Sequence, residues 1–188
     1  MSGKTHGFIG LVVAIILWIG YTLGLSGVIK INVLIPMMIG SFIGALIVDI
    51  DCKRSKASQV FSAIVTILIW ILLVMILCEK YDIFDFSIIK SLEYKKFIYN
   101  RNSFGLISFV VLVTLGKLSP HRQFTHKWFG TLLFSITVII TFNKFVAVGF
   151  IVGYVSHILA DKLTPAGVKF LEFKLPLCDK RGKFSMKF

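Results

Sequence analysis

The stretch "GFIGLVVAIILWIGYTLGL", residues 7–25, decides the fold. None of its residues is charged, and a helix of that length rises about 28 Å, close to the roughly 30 Å of bilayer hydrocarbon. One lysine, Lys4, precedes the run, no small-residue cleavage site follows it, and it outlasts the apolar core of a signal peptide. It reads as a retained first membrane span. Five further apolar runs follow: Ile31 to Val48, Val60 to Cys78, Phe104 to Leu118, Trp128 to Phe142 and Phe145 to Ala160. Several are shorter than the roughly 20 residues a span needs, which calls for snorkelling flanks or a locally thin bilayer. The chain is therefore expected to be all-α, a polytopic membrane bundle of about six transmembrane helices.

Composition agrees with that expectation. The 188 residues are 56% hydrophobic and only 16% charged, and the mean hydropathy of +0.87 lies far from that of a soluble domain. No internal repeat and no Pro-rich or Ser-rich linker divides the chain, so residues 1–188 are expected to form a single integral membrane domain with a basic C-terminal tail. The net charge of +12 would suit nucleic acid, but the cations flank the apolar runs. Membrane lipids are thus the expected partners, and nucleic acid is not. The tail cations Lys162, Lys169, Lys174, Lys180, Arg181, Lys183 and Lys187 are expected to lie along an anionic leaflet.

The longest polar break, Glu79 to Ser103, contains "FSIIKSLEYKKFIY", whose near-helical mixture of apolar and basic residues suits a short helix on the membrane surface. Cys52, Cys78 and Cys178 are widely spaced and odd in number, which argues against a disulfide framework or a thiolate zinc site. Gly20 with Gly24, and Gly40 with Gly44, have the four-residue spacing that lets membrane helices approach closely.

An alternating path through six spans brings scattered polar residues to one side. The start of span one carries His6, the end of span two Asp49 and Asp51, the start of span five His121 and His126, and the end of span six His157 and Asp161. One span more or fewer would scatter them over both faces. The opposite side holds only Lys30, Lys80, Lys90, Lys95, Lys96, Arg101 and Lys144 of the 21 Lys and Arg residues. The His/Asp side should then be cytoplasmic, with both termini inside.

His157 and Asp161 lie four residues apart, so a helix presents both on one face, where they can converge on one ion. Asp49 and Asp51 are two apart and can share a cavity only if a helix ends between them. His121 follows Pro120, which breaks span four from span five, and His126 lies across the bend. Carboxylates in a bilayer cost about 2.5 to 3.5 kcal/mol each at a helix centre and repel one another when gathered. A divalent cation relieves both costs. Imidazole with carboxylate suits zinc, manganese or iron, and more than four ligands allow more than one ion. His6 reads equally as an interfacial residue, and His157 with Asp161 as a helix-packing pair. Arg122 reads as a lipid anchor or a phosphate clamp, and Lys53, Arg54 and Lys56 as headgroup contacts.

These motifs, "GYVSHILADKLTPAGV" from Gly153, "HRQFTH" from His121, "DIDCKRS" from Asp49 and an early "TH" at Thr5, resemble the YdjM-type family of bacterial inner-membrane, metal-dependent hydrolases. The family is similar at a distance to zinc-dependent phospholipase C. Resemblance implies that His6, Asp49, Asp51, His121, His126, His157 and Asp161 are metal ligands or their close supports, and zinc is the metal it suggests. This chain departs from the family at Val48, Cys52 and Gln123, where proline, histidine and a small residue are usual.

The function expected from these residues is hydrolysis of a phosphoester, of a phospholipid or another lipid-linked phosphate, at the cytoplasmic interface. Asp49 or Asp51 would take the proton of the attacking water, and Arg122 with Lys53 or Arg54 would hold the phosphate oxygens. The rival expectation is a metal-ion transporter or metal-binding scaffold without hydrolysis.

Overall fold

The computed structural model describes residues 3–26, 31–80, 100–164, 167–179 and 181–186. They form six helices: α1 (Gly3–Tyr21), α2 (Ile31–Ile47), α3 (Lys56–Lys80), α4 (Arg101–Leu118), α5 (Trp128–Thr141) and α6 (Lys144–Lys162). There is no β-strand among the described residues. Each helix coincides with one apolar run of the sequence, and polar residues set several of the boundaries. Ser55 begins α3 by accepting from the amide of Ser58 at 3.1 Å. The side chain of Asn143 accepts from the amides of Phe145 and Val146 at the start of α6. These are N-caps that satisfy orphaned donors.

Four stretches are long and apolar enough to cross a membrane: Thr5–Gly24, Ile31–Asp51, Arg101–Leu118 and Lys144–Lys162. The apolar stretches Lys56–Leu68 and Trp128–Thr141 are shorter. Large apolar side chains such as Phe8, Leu23, Ile31, Trp70 and Phe104 are exposed on the outside of the bundle, as a lipid-facing surface requires. The surface helix expected within residues 86–99 lies outside the described residues.

The central packing is α2 against α6, with α1 across both and α4 beside α5. A Cβ added at Gly40 or Gly44 would overlap the backbone of α6 at Val146 and Phe150. One added at Gly149 or Gly153 would overlap the carbonyls of Met37 and Ser41 on α2. Small residues four apart on both helices thus let the backbones touch. Gly20 and Gly24 do not serve this purpose: a Cβ at either would meet open space. Beneath the polar end of the bundle lies a core of Val48, Ile50, Phe124, Phe134, Phe150, Tyr154 and their neighbours.

Candidate metal centre

The start of α1, the end of α2, the α4–α5 connection and the end of α6 meet at one end of the bundle. All seven His and Asp residues singled out above lie there, in three overlapping groups whose ligand atoms are mutually within 4.8 Å: His6, His157 and Asp161; Asp49, His126 and His157; Asp49, Asp51 and His121. The chain therefore holds His/Asp groups that could bind a metal ion.

Local backbone geometry produces the convergence. α2 gives way at Val48 to a 3-10 turn through Asp51, in which Asp49 leaves helical geometry at φ −82°, ψ 15°. That change lets Asp49 and Asp51 both face the site while Ile50 between them is fully buried in the core. In the α4–α5 connection, Arg122 adopts the left-handed region at φ 61°. This turns its amide toward Asp51, to which it donates at 2.7 Å.

Asp51 is saturated with donors. His121 Nδ1 lies 2.8 Å from its Oδ1, and the Thr125 hydroxyl donates to its Oδ2 at 3.1 Å. Because that hydroxyl spends its proton on Asp51, it accepts from His126 Nδ1 at 3.0 Å. His126 Nε2 then faces the cluster, 3.5 Å from Asp49 Oδ1 and 3.4 Å from Asp161 Oδ2. Tyr154 supports the same turn by donating to the Thr125 carbonyl. Burial lowers the pKa of His126, but Asp161, Asp49 and Asp51 outweigh it and raise it well above its ordinary value, so a cation bound by Nε2 would have to displace the proton these carboxylates favour there.

His157 is fixed by a different backbone group. Its Nδ1 lies 2.6 Å from the Ala45 carbonyl on α2, and a carbonyl can only accept. Neutral His157 must therefore carry its lone pair on Nε2, which points at Asp49 (3.6 Å) and Asp161 (3.8 Å). His6 stacks on His157 with ring centroids 3.9 Å apart, and its Nε2 is 3.4 Å from Asp161 Oδ1. The Nε2 atoms of His126 and His157 and the Nδ1 of His6 are buried without a hydrogen-bond partner among the described residues. Buried polar nitrogens without partners are rare, and together with the carboxylates of Asp49, Asp51 and Asp161 they make a donor set that would suit a divalent cation.

The cations are distributed unequally. Arg122 reaches toward the centre, with Nη2 3.7 Å from Asp161 Oδ2. Lys53 and Arg54 stand exposed on the turn after Asp51, and Cys52 beside them is a half-buried free thiol. Lys127, counted in the sequence among the cations of this face, is buried and donates to the Lys169 carbonyl at 2.8 Å and to Glu172 at 2.9 Å. With Trp128 N–H donating to the Phe170 carbonyl and Phe129 packed on Phe173, it fastens part of the tail over the α4–α5 connection. Lys117 likewise bonds Ser58 and Ser62 of α3. The Ala45 carbonyl, Thr125, Tyr154 and the Lys127–Glu172 pair are the parts that reading the sequence passed over.

The description "YdjM inner membrane protein" belongs to the family whose sequence profile matches residues 1–188. An uncharacterized protein, YvsG of Bacillus subtilis (strain 168), is 35% identical over 88 residues, which cover 44% of this chain and 52% of that protein. The chain thus matches about half the length of that relative. No solved structure matches the chain.

Proposed function

The chain belongs to the family of YdjM inner membrane proteins, and from that premise we propose that it is a membrane-embedded metal-dependent hydrolase cleaving a phosphoester of a phospholipid or other lipid-linked phosphate at the cytoplasmic interface. The observation that carries this reading is the pair of buried, unpartnered imidazole nitrogens on His126 and His157, each fixed from behind and aimed at Asp49 and Asp161.

The three overlapping donor groups would offer more ligands than one ion needs, so more than one ion could be held there. Nitrogen and carboxylate donors fit zinc first, with manganese or iron as alternatives. When bound, such an ion supplies Lewis acidity and acidifies water at the site. The residues divide the remaining work. Asp49 is the partly exposed aspartate of the pair, at 22% of its side chain, and takes the proton of the attacking water. Asp51 has no exposed side-chain surface and already receives several donors, so it orients His121 and the Arg122 amide instead. The Arg122 guanidinium holds phosphate oxygens as negative charge grows on them. Lys53 and Arg54 meet headgroups at the rim. The excess of Lys and Arg at this end of the chain supports a cytoplasmic orientation.

All the ligands come from helix ends on one side of the bundle, whereas a transport site lies near the midplane with access from both faces. That arrangement favours hydrolysis over transport. The deciding experiment measures transition-metal content and phosphate release from a lipid panel in detergent micelles. Wild type is expected to carry metal, His157→Ala and Asp161→Asn to lose it, and Asp49→Asn to lose turnover. Equal metal content in all three proteins, or ion flux in liposomes with no phosphoester turnover, sinks the reading.

A further inference from the structure

The lipid-facing row of α5 continues into the tail. Leu132, Ile136 and Ile139 are exposed and recur every three or four residues, so they share one face of the helix. Trp128, the first residue of α5, heads that row and is exposed as well. A tryptophan at the end of an apolar membrane helix marks the headgroup level. Its ring lies 5.9 Å from that of Phe173, which also packs on Phe129 at 4.8 Å. Phe173 therefore sits at the membrane boundary.

Exposure alternates along this part of the tail. Val168 is buried and Phe170, Glu172 and Lys174 are half-buried, whereas Lys169, Leu171, Phe173 and Leu175 are exposed. The inner set serves the protein: Phe170 packs against the core beneath the site, its carbonyl accepts from the Trp128 amide, and Glu172 accepts from Lys127. The outer set turns three large apolar side chains outward, with Leu171 84% exposed. Charge indicates what covers them. After Asp161 the chain carries seven Lys and Arg against Glu172 and Asp179. Both acids are engaged within the protein, Glu172 by Lys127 and Lys169 and Asp179 by accepting from the amides of Arg181 and Lys183. Lys162, Arg181 and Lys183 are exposed. Apolar side chains and cations together at the headgroup level fit an anionic leaflet. A second copy of the chain would bring its own excess of cations to the same place.

We propose that residues 169–175 dock into the anionic leaflet on the side of the metal centre, with Leu171, Phe173 and Leu175 in the acyl boundary and Lys162, Arg181 and Lys183 among the headgroups. The apolar side chains anchor the segment and the cations select the lipid. The docked segment is also the one that Lys127 and Trp128 fasten to the α4–α5 connection, which carries His121, Arg122 and His126. Docking thus fixes the depth at which the centre meets headgroups, whatever reaction the centre performs.

The test uses the full chain in nanodiscs of phosphatidylcholine, with and without phosphatidylglycerol. A nitroxide is placed on the thiol of Leu171→Cys or Leu175→Cys in a background of Cys52→Ser, Cys78→Ser and Cys178→Ser. Dissolved oxygen, which partitions into lipid, and a nickel chelate, which stays in water, report the surroundings of each label. In discs with phosphatidylglycerol, oxygen should reach both labels several-fold more readily than nickel. Replacing the exposed Lys162, Arg181 and Lys183 together by glutamine should shift that ratio several-fold toward water, since each cation at an anionic surface is worth roughly five-fold in partitioning. Discs of phosphatidylcholine alone should shift it the same way. Labels open to nickel in the anionic discs overturn the proposal. Labels shielded from both reagents and broadened by a neighbouring spin also overturn it, and assign the apolar ridge to a second copy of the chain. An oxygen-rich environment that is the same in both kinds of disc overturns the selection of lipid by charge.

Discussion

Arg122 does two jobs with two different parts of itself. Its amide reaches Asp51 because the residue sits at φ 61°, a conformation that costs a non-glycine residue roughly 1 kcal/mol. Its guanidinium faces the centre. Arg122→Gly keeps the amide and relieves the backbone, so metal content and melting temperature in detergent should hold or rise while phosphoester turnover falls about 10²-fold. Arg122→Ala should lose the same turnover and be the less stable of the two. Equal stability of the two variants would mean that the left-handed turn carries no cost. All seven His and Asp residues could be picked out by residue type, because imidazole and carboxylate are rare in a lipid-facing sequence. Their orienting partners could not. The Ala45 carbonyl is a backbone group that any residue would supply, and Thr125 matters only because its hydroxyl stands between Asp51 and His126.

At the level of elements, the spacing of α2 and α6 sets the reach of His157. With Gly44 and Gly153 against opposing carbonyls, the ring is close enough to donate to Ala45. Gly153→Ala should force the helices apart at a cost of about 1–3 kcal/mol and lower metal content, read by elemental analysis and thermal unfolding. Unchanged metal content would show that helix spacing does not govern the site. The six helices were legible because long apolar runs have few alternatives in a membrane. Gly20 and Gly24 show the limit, since their spacing matches that of Gly40 and Gly44 and only the packed partner tells the pairs apart. The tail clip makes a separate, pH-dependent statement. The bond from Lys127 holds the Glu172 carboxyl below its ordinary range, so the clip's contribution is complete above the unfolded value near pH 4.5 and is lost as pH falls through the lower folded value. Trp128, 5.9 Å from Phe173, should report that release by fluorescence, and Glu172→Gln should remove the acid step. An identical acid transition in the variant would assign the step elsewhere.

Across the whole molecule, the four segments that build the site share one end, and so do Cys52 and Cys178. Cys52 follows Asp51, and the amide of Leu177 is tied to the Ser119 hydroxyl at 2.9 Å. In a Cys78→Ser background, an impermeant thiol reagent should label both from the same side of the membrane, and a cysteine placed at Asn143 from the other. Labelling of Cys52 and Cys178 from opposite sides would forbid the shared site. Chelation should lower the melting temperature and zinc should restore it, since an ion at a hundred-fold excess over its dissociation constant adds about 2.7 kcal/mol. The N-terminal His6 and the late Asp161 are neighbours at 3.4 Å, which has a consequence for biogenesis. During synthesis Asp49 and Asp51 enter the bilayer long before α6 exists, two like charges without the histidines that will face them. His121 and His126 reach that pair once the α4–α5 connection is made, but His157 and Asp161 arrive only when the last helix docks, so a metal held by the complete centre would mark a fully inserted chain.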